Sequence, residues 1–413
     1  MSQQSDTAQP RPLPSQTPQG IGWLANFKPE DAPAAQLLID SLHFVSSTTF
    51  RQSLANYLNT VLAEASPDQQ PAALYSVFSC GAGTTMFTGG LQPLVPQEGG
   101  SELIVQNLVR ATERAFQNSA VSNRTSSLEL LKARRVRRLV FVSDYAGSGD
   151  EALAYARAWL RNPTIRSWRS LKLVQLHLVL FAASASAHSR LAASPWYDGV
   201  HVLHSGMDVS SAGWTASERD HIRSVCDTYA RSATGGRGWG GSEGLVVFEH
   251  TISNNLPMIL RQTKGQSAYG GKWVPFFQNR TTSTELMRML EDYRPGADRQ
   301  RRLLAVGQPR LADASQLQTM QRPELTRLID VLAHIAGGRR HASQLSACLG
   351  ISVPAAWMIT RQACQLGLLG ERLRLTDAGR QLLREERARP RRVTAGLQGS
   401  TDPYYPRRLK GSR

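Results

Sequence analysis

One stretch concentrates residue types that could do chemistry: Leu139-Val140-Phe141-Val142-Ser143-Asp144-Tyr145-Ala146-Gly147-Ser148-Gly149-Asp150-Glu151. An apolar run ends in an acid, then turns through glycine and serine into a segment with helical character. In an open parallel sheet, ligands sit beyond the carboxyl ends of the strands. Backbone N–H groups at the start of the next helix suit a phosphate. Asp144 at the strand's end is placed to accept hydrogen bonds from sugar hydroxyls, and Ala146, Gly147, Ser148 and Gly149 form a loop small enough to wrap an anion. A competing reading is purely local. Ser148-x-x-Glu151 fits a capping box, in which both side chains satisfy the helix's own amides. Asp150 and Glu151 would also complement the helix dipole, and both would repel a bound phosphate.

Two further segments carry polar groups at strand exits. Ser79-Cys80-Gly81-Ala82-Gly83-Thr84-Thr85 follows an apolar run, and Gly99-Gly100-Ser101 opens a helical stretch. Neither is a Walker loop, and glycine clusters also mark ordinary turns. Phe248-Glu249-His250-Thr251-Ile252-Ser253-Asn254-Asn255 leaves another apolar run. There His250 could exchange protons near neutral pH, and Asn254 and Asn255 offer paired donors and acceptors. Gly235-Gly236-Arg237-Gly238-Trp239-Gly240-Gly241 reads as a loop able to fold over a ligand. Other templates fail: there is no HExxH, no GxSxG sits at a strand-to-helix elbow that would support a serine hydrolase, and Cys80, Cys226, Cys348 and Cys364 form no CxxC or zinc spacing.

The elements that must position these residues follow from periodicity. Residues 1–20 read as disordered from their Gln, Ser and Pro content, and 21–70 as a helical segment with apolar residues at helical spacing. Residues 71–290 alternate strands (73–78, 138–143, 174–183, 200–203, 245–249) with helices (101–117, 148–160, 218–231). That pattern predicts an α/β domain with a mostly parallel, doubly wound sheet. Residues 291–321 read as a polar linker. Residues 322–386 form a second compact module with helices at 325–335, 341–349 and 352–365, two short strands around a wing at 368–375, and a closing helix. A basic tail fills 387–413.

Of 413 residues, 41% are hydrophobic and 19% charged, which excludes wholesale disorder. The formal charge is +16. Residues 322–413 hold 17 Lys/Arg against 7 Asp/Glu, so ten of those sixteen charges gather at one end. Such an excess suits a polyanion, through release of counterions from phosphates. No apolar run spans a bilayer and no secretory signal is visible, so the chain reads as cytoplasmic, with reduced thiols and no membrane partner.

The stretch 143–151 resembles the diphosphoribose-binding motif of the phosphoribosyltransferases, and the α/β pattern resembles their type I fold. The resemblance implies that Asp144 contacts ribose hydroxyls and Ala146–Gly149 wrap a 5′-phosphate. It also implies that one of the segments 79–85 and 99–101 holds a diphosphate, that phosphoribosyl diphosphate binds with Mg²⁺, and that His250 or Asn254 orients an acceptor. Ser143 stands where the family has its first acid, and Glu151 where it has a hydroxyl residue. Taken with Trp23-Leu24-x-x-Phe27, the segment 250–257 and Tyr404-Tyr405-Pro406-Arg407-Arg408-Leu409, the chain resembles phosphoribosyltransferase-like proteins of bacterial conflict and antiphage systems. Some of these are retron effectors, which implies a reverse transcriptase or an ATPase as a partner. Residues 325–385 resemble a winged helix–turn–helix. That implies nucleic-acid contacts through Arg361, Arg372 and Arg374, with Tyr404, Arg407 and Arg408 able to stack on bases and pair with phosphates. Helix 352–365 is poor in charge, with Trp357 and Met358 prominent, so a protein partner is the alternative.

Overall fold

The computed structural model describes residues 12–64, 71–87, 94, 101–115, 120–122, 127–232, 235–290, 293, 299–312 and 323–388. Expected disorder at the start is corrected from Pro12 onward. A short 3-10 turn (Pro14–Gln16) leads into α1 (Pro18–Leu24), capped by the Thr17 hydroxyl on the Gly20 N–H. Ser15 bonds Asp40 through both its N–H and its hydroxyl (2.8 Å each). Gly20 fits because any Cβ there would lie 2.1 Å from the Pro14 carbonyl oxygen.

After α2 (Ala32–Ile39) comes a strand that helical spacing hid, β1 (His43–Val45), and then α3 (Ser47–Glu64). The alternating core follows: β2 (Ala72–Ser76), α4 (Ser101–Ala115), β3 (Ala120–Ser122), α5 (Leu128–Ala133), β4 (Arg138–Ala146), α6 (Asp150–Leu160), α7 (Pro163–Ser170), β5 (Gln175–Ala183), α8 (Ala185–Ala192), β6 (Gly199–Ser205) and α9 (Ala216–Tyr229). Five strands make one wholly parallel sheet in the order β3-β2-β4-β5-β6, with Ser76 opposite Val142 and Val142 opposite Val179. Helices α5 to α8 cover one face and α3 and α4 the other. Strand order reverses between β2 and β4, so the switch point lies at their carboxyl ends. The last strand, β7 (Val246–Phe248), does not join this sheet as its sequence suggested. It pairs in parallel with β1 as a separate two-stranded ribbon.

The packing explains why the loop after β4 is firmly placed. Phe141 on β4 meets Trp159 and Tyr155 of α6 at ring-centroid distances of 5.3 and 5.1 Å, and all three are buried. Each such side chain contributes roughly 2–3 kcal/mol by burial. Together they clamp α6 along the strand. The N-terminal helices cap the far side: Trp23 and Phe27 pack with Trp273 and Phe276, and the Trp23 indole donates to the Ile259 carbonyl at 2.9 Å. Short helices α10 (Met258–Arg261) and α11 (Thr284–Leu290) complete this layer.

The expected linker contains helices α12 (Arg299–Ala305) and α13 (Pro309–Ala312), and Leu303 and Leu311 are buried in the core of the next module. That module holds α14 (Pro323–Ala336), α15 (Ala342–Leu349), α16 (Val353–Gln365) and α17 (Asp377–Ala388). Helices α15 and α16 meet at 112°, the angle of a helix–turn–helix, around Gly350 with φ +64°. The wing is reduced from two strands to one bridge, Leu369 to Leu375. Among the described residues no single helix is long and apolar enough to cross a membrane.

The module covers the edge strand β6, which otherwise presents unpaired backbone groups. Helices α15 and α16 pack against it, and the Ser205 N–H donates to the Ser346 hydroxyl at 3.3 Å. Gly206, with φ +71°, allows the contact, since a Cβ there would stand 2.3 Å from that of Ala347.

Candidate functional site

A cleft of about 470 Å³ opens at the switch point. Its floor and walls come from Ser79 and Cys80 after β2, from Ser143 and Tyr145 to Glu151, and from Trp239, Asn254 and Asn255. Four segments singled out in the sequence therefore converge, although they lie far apart along the chain.

The β4–α6 turn has the anion-cradle form. Gly149, with φ +80°, is the N-cap of α6 and makes no side-chain cap. The capping box expected of Ser148 and Glu151 is therefore absent. The Ser148 hydroxyl instead donates to Asp150 Oδ2 at 2.8 Å, and the N–H groups of Ser148, Gly149 and Glu151 have no partner among the described residues. These amides start an eleven-residue helix whose dipole favours an anion.

The two carboxylates that would repel a phosphate are both muted. Asp150 is held ionised, below its usual carboxyl range, by the Ser148 hydroxyl and then by Arg190, which bridges it at 2.6 Å and offsets its charge. Glu151 behaves oppositely. It is accessible from the cleft mouth but set in a concave wall, so loss of hydration, then Asp144 and then Glu102, push its carboxyl up to about 7. Burial, with Glu151 next, raises the Cys80 thiol to about 11, which leaves it a poor nucleophile.

The opposite wall is a hood stitched together by backbone bonds. The Trp239 N–H donates to the Asn254 carbonyl, and the Gly244 N–H and Ser242 hydroxyl both donate to that of Asn255 (2.9 to 3.0 Å). Arg223 holds Glu243 and Arg237 holds Asp227, which fixes both ends of the loop. Gly147 is required here, because a Cβ would lie 2.0 Å from Asn255 Oδ1 and 2.8 Å from the Ser242 Cβ. Trp239 stays 61% exposed over the cleft, and the Asn254 amide has no side-chain partner among the described residues.

The remaining expected residues are placed elsewhere. Asp144 does not line the cleft. Ser143 and Tyr145 do, whereas Asp144 spends Oδ1 on the Tyr145 N–H (2.7 Å) and the Ser143 hydroxyl (3.3 Å). It lies near Glu102, Glu151 and His250, on whose protonation it acts. His250 is stacked on Phe248 and packed on Phe50, with both ring nitrogens buried and unpartnered. Loss of hydration lowers its pKa. Gly81 and Gly83 form an exposed turn closed by the Thr84 hydroxyl on the Gly81 carbonyl, outside the cleft wall. Gly99 and Gly100 lie outside the described residues. Glu102 and Tyr145 were not singled out in the sequence. Glu102's place follows from its position in the first turn of α4.

In the C-terminal module, Arg361, Arg372 and Arg374 are all exposed. The Arg361 guanidinium sits over the Trp357 ring at 5.2 Å, and the face beside it carries Met358 (60% exposed). Tyr404, Arg407 and Arg408 lie outside the described residues.

A family model described as wHTH-PRTase associated matches residues 329–411. No curated protein and no solved structure matches the chain. The model described as PRTase-CE matches residues 21–279, more than half of the chain and every strand around the cleft, so the chain belongs to the PRTase-CE family.

Proposed function

We propose that the chain is a phosphoribosyltransferase-like protein of a bacterial defence system, which binds a phosphoribosyl or nucleotide ligand in the β2/β4 cleft and nucleic acid through its winged helix. One observation carries the first half: three unpartnered amides at the N-terminus of α6, inside a cleft whose two acids are neutralised by Arg190 and by proton uptake. The 5′-phosphate sits on Ser148 and Gly149, the ring lies along Ser143, and Trp239 and Asn254 face the base or leaving group. Catalysis at the anomeric carbon needs little covalent help, because loop amides stabilise the departing diphosphate.

No group of three ligating side chains that could hold a metal occurs among the described residues. Mg²⁺ would therefore arrive on the diphosphate, with at most Glu151 as a protein ligand, and would offset the charge of the leaving group. Binding of ribose 5-phosphate and turnover of phosphoribosyl diphosphate test the reading. Ribose 5-phosphate that fails to protect the amides of 147–151 from hydrogen exchange refutes it.

The winged helix half rests on the fold of residues 323–388 and on exposed Arg372 and Arg374. Arg372→Ala with Arg374→Ala should weaken duplex binding and reduce its salt dependence. A second reading, in which the cleft senses a nucleotide without turnover, is favoured by Ser143 in place of an acid and by the Asp144 carboxylate being engaged by the Tyr145 N–H and the Ser143 hydroxyl. Ligand binding with no release of diphosphate would select it.

A further inference from the structure

We infer that the edge of the sheet opposite the cleft is a second nucleic-acid surface, one that takes a single strand. Residues 132–172 carry ten Lys/Arg, and their three acids (Asp144, Asp150 and Glu151) all lie at the cleft end. The basic residues gather where α5 and α6 end and β4 and β5 begin. A groove of about 660 Å³ there is lined by Arg157, Arg161, Arg166, Arg169, Lys172 and Trp196. Asp198 is the groove's one acid, and it is spent on Arg169 and the Leu176 N–H. Arg157, Arg161, Arg166 and Lys172 are exposed, and none has a carboxylate partner among the described residues. Exposed Lys132, Arg134, Arg135 and Arg137 extend the patch, with Arg137 bonded across to the Leu173 carbonyl at 3.3 Å.

Helix C-termini alone do not account for this. Three helices end here, and one cation at each would complement the dipoles. Ten are present.

The groove favours a single strand over a duplex because it offers surfaces for bases as well as charges. The Arg157 guanidinium lies 5.8 Å from the Trp196 ring centroid, and Leu171 (66% exposed) and Leu173 (41%) stand bare beside it. A duplex shows such a surface only phosphates, whereas a single strand can lay bases on aromatic and guanidinium planes.

The test is fluorescence anisotropy of the full chain carrying Arg372→Ala and Arg374→Ala, so that the wing does not mask the groove. The probes are labelled oligo-dT and a duplex of equal length, titrated over a salt series. Adding Arg157→Gln, Arg166→Gln and Lys172→Gln should lower the slope of log affinity against log salt by about 2, at about 0.7 per single-strand contact. At 0.1 M salt that corresponds to about a hundredfold weaker oligo-dT binding. Ser170→Lys, at an exposed serine of the same groove, adds a charge without removing an apolar surface, and should strengthen binding about fivefold. Unchanged slope and affinity in the triple variant overturn the proposal. So does Ser170→Lys without effect, a duplex bound as tightly as oligo-dT, or polyglutamate that displaces oligo-dT at equal charge.

Discussion

Glu151 offers the most direct measurement of whether the cleft receives an anion. Its carboxyl takes up a proton near pH 7, because lost hydration, Asp144 and Glu102 all oppose its charge. A phosphate on the neighbouring amides adds a fourth opposing charge, so the protonated form binds better. The folded pKa is raised, so this favourable state is fully present at low pH and is lost as pH rises through about 7. If only protonated Glu151 admits the ligand, affinity at pH 8 is about tenfold below that at pH 6. Calorimetric titration of ribose 5-phosphate in EDTA, from pH 5.5 to 8.5, measures the profile. Glu151→Gln should bind as the wild type does at pH 6 and should not weaken through pH 8. The ligand's own phosphate titration appears in both proteins and cancels between them. Asp144→Asn should move the wild-type loss to lower pH, with its midpoint below 7, since removing one opposing carboxylate lowers the Glu151 pKa. Parallel profiles for the wild type and Glu151→Gln would refute the reasoning, because Glu151 would then not sense the ligand.

Three further outcomes follow from packing. Gly147→Ala puts a Cβ against Asn255 and Ser242 and should displace the hood, costing about 1–3 kcal/mol in a denaturant melt and abolishing ribose 5-phosphate binding. Trp159→Ala empties the space between β2, β4 and α6 and should cost about 3–5 kcal/mol by the same melt. Ala347→Arg cannot be housed against Gly206, so it should undock the winged module and speed amide hydrogen exchange along β6, while leaving α14–α17 helical by circular dichroism.

The legible parts of the chain were those whose local pattern matched their burial. Strand β4 and helix α6 stood out because a continuous apolar run meets a glycine turn, and β5 and α9 followed from the same rules. Helices α15 and α16 were visible through Ser352 as a cap and Gly350 as a stop. Strand β1 was not, nor was the pairing of β7, whose apolar run suggests a strand of the main sheet, because each is three residues long and they pair across some two hundred positions. Periodicity sees neither property. The capping box at Ser148 failed for a conformational reason: Gly149 adopts the left-handed region and takes the N-cap place, which shifts the helix start by one residue. The surroundings of Asp144 were not legible: its carboxylate takes the Tyr145 N–H and the Ser143 hydroxyl, and simple alternation does not describe this end of β4, where Leu139 and Phe141 pack on the α6 side but Tyr145 packs with Val140 and Val142 on the other.

Asp144 is bonded to its own strand, and its charge acts on the protonation of Glu151 and Glu102. The same ridge connects outward. Tyr145 lines the cleft, and its hydroxyl donates to the Met207 carbonyl at 3.4 Å, one residue beyond the Gly206 that holds the winged module. Lining residues from both modules, among them Asp208, Arg302 and Cys348, also enclose a cavity of about 480 Å³. A parallel sheet needs cover on its last strand, and here the cover is the helix–turn–helix itself. Its helices α15 and α16 therefore serve two surfaces: they bury β6 on one side and present Trp357, Met358 and Arg361 on the other. A ligand that moves β6 must move that exposed face with it, since α15 and α16 pack directly on that strand.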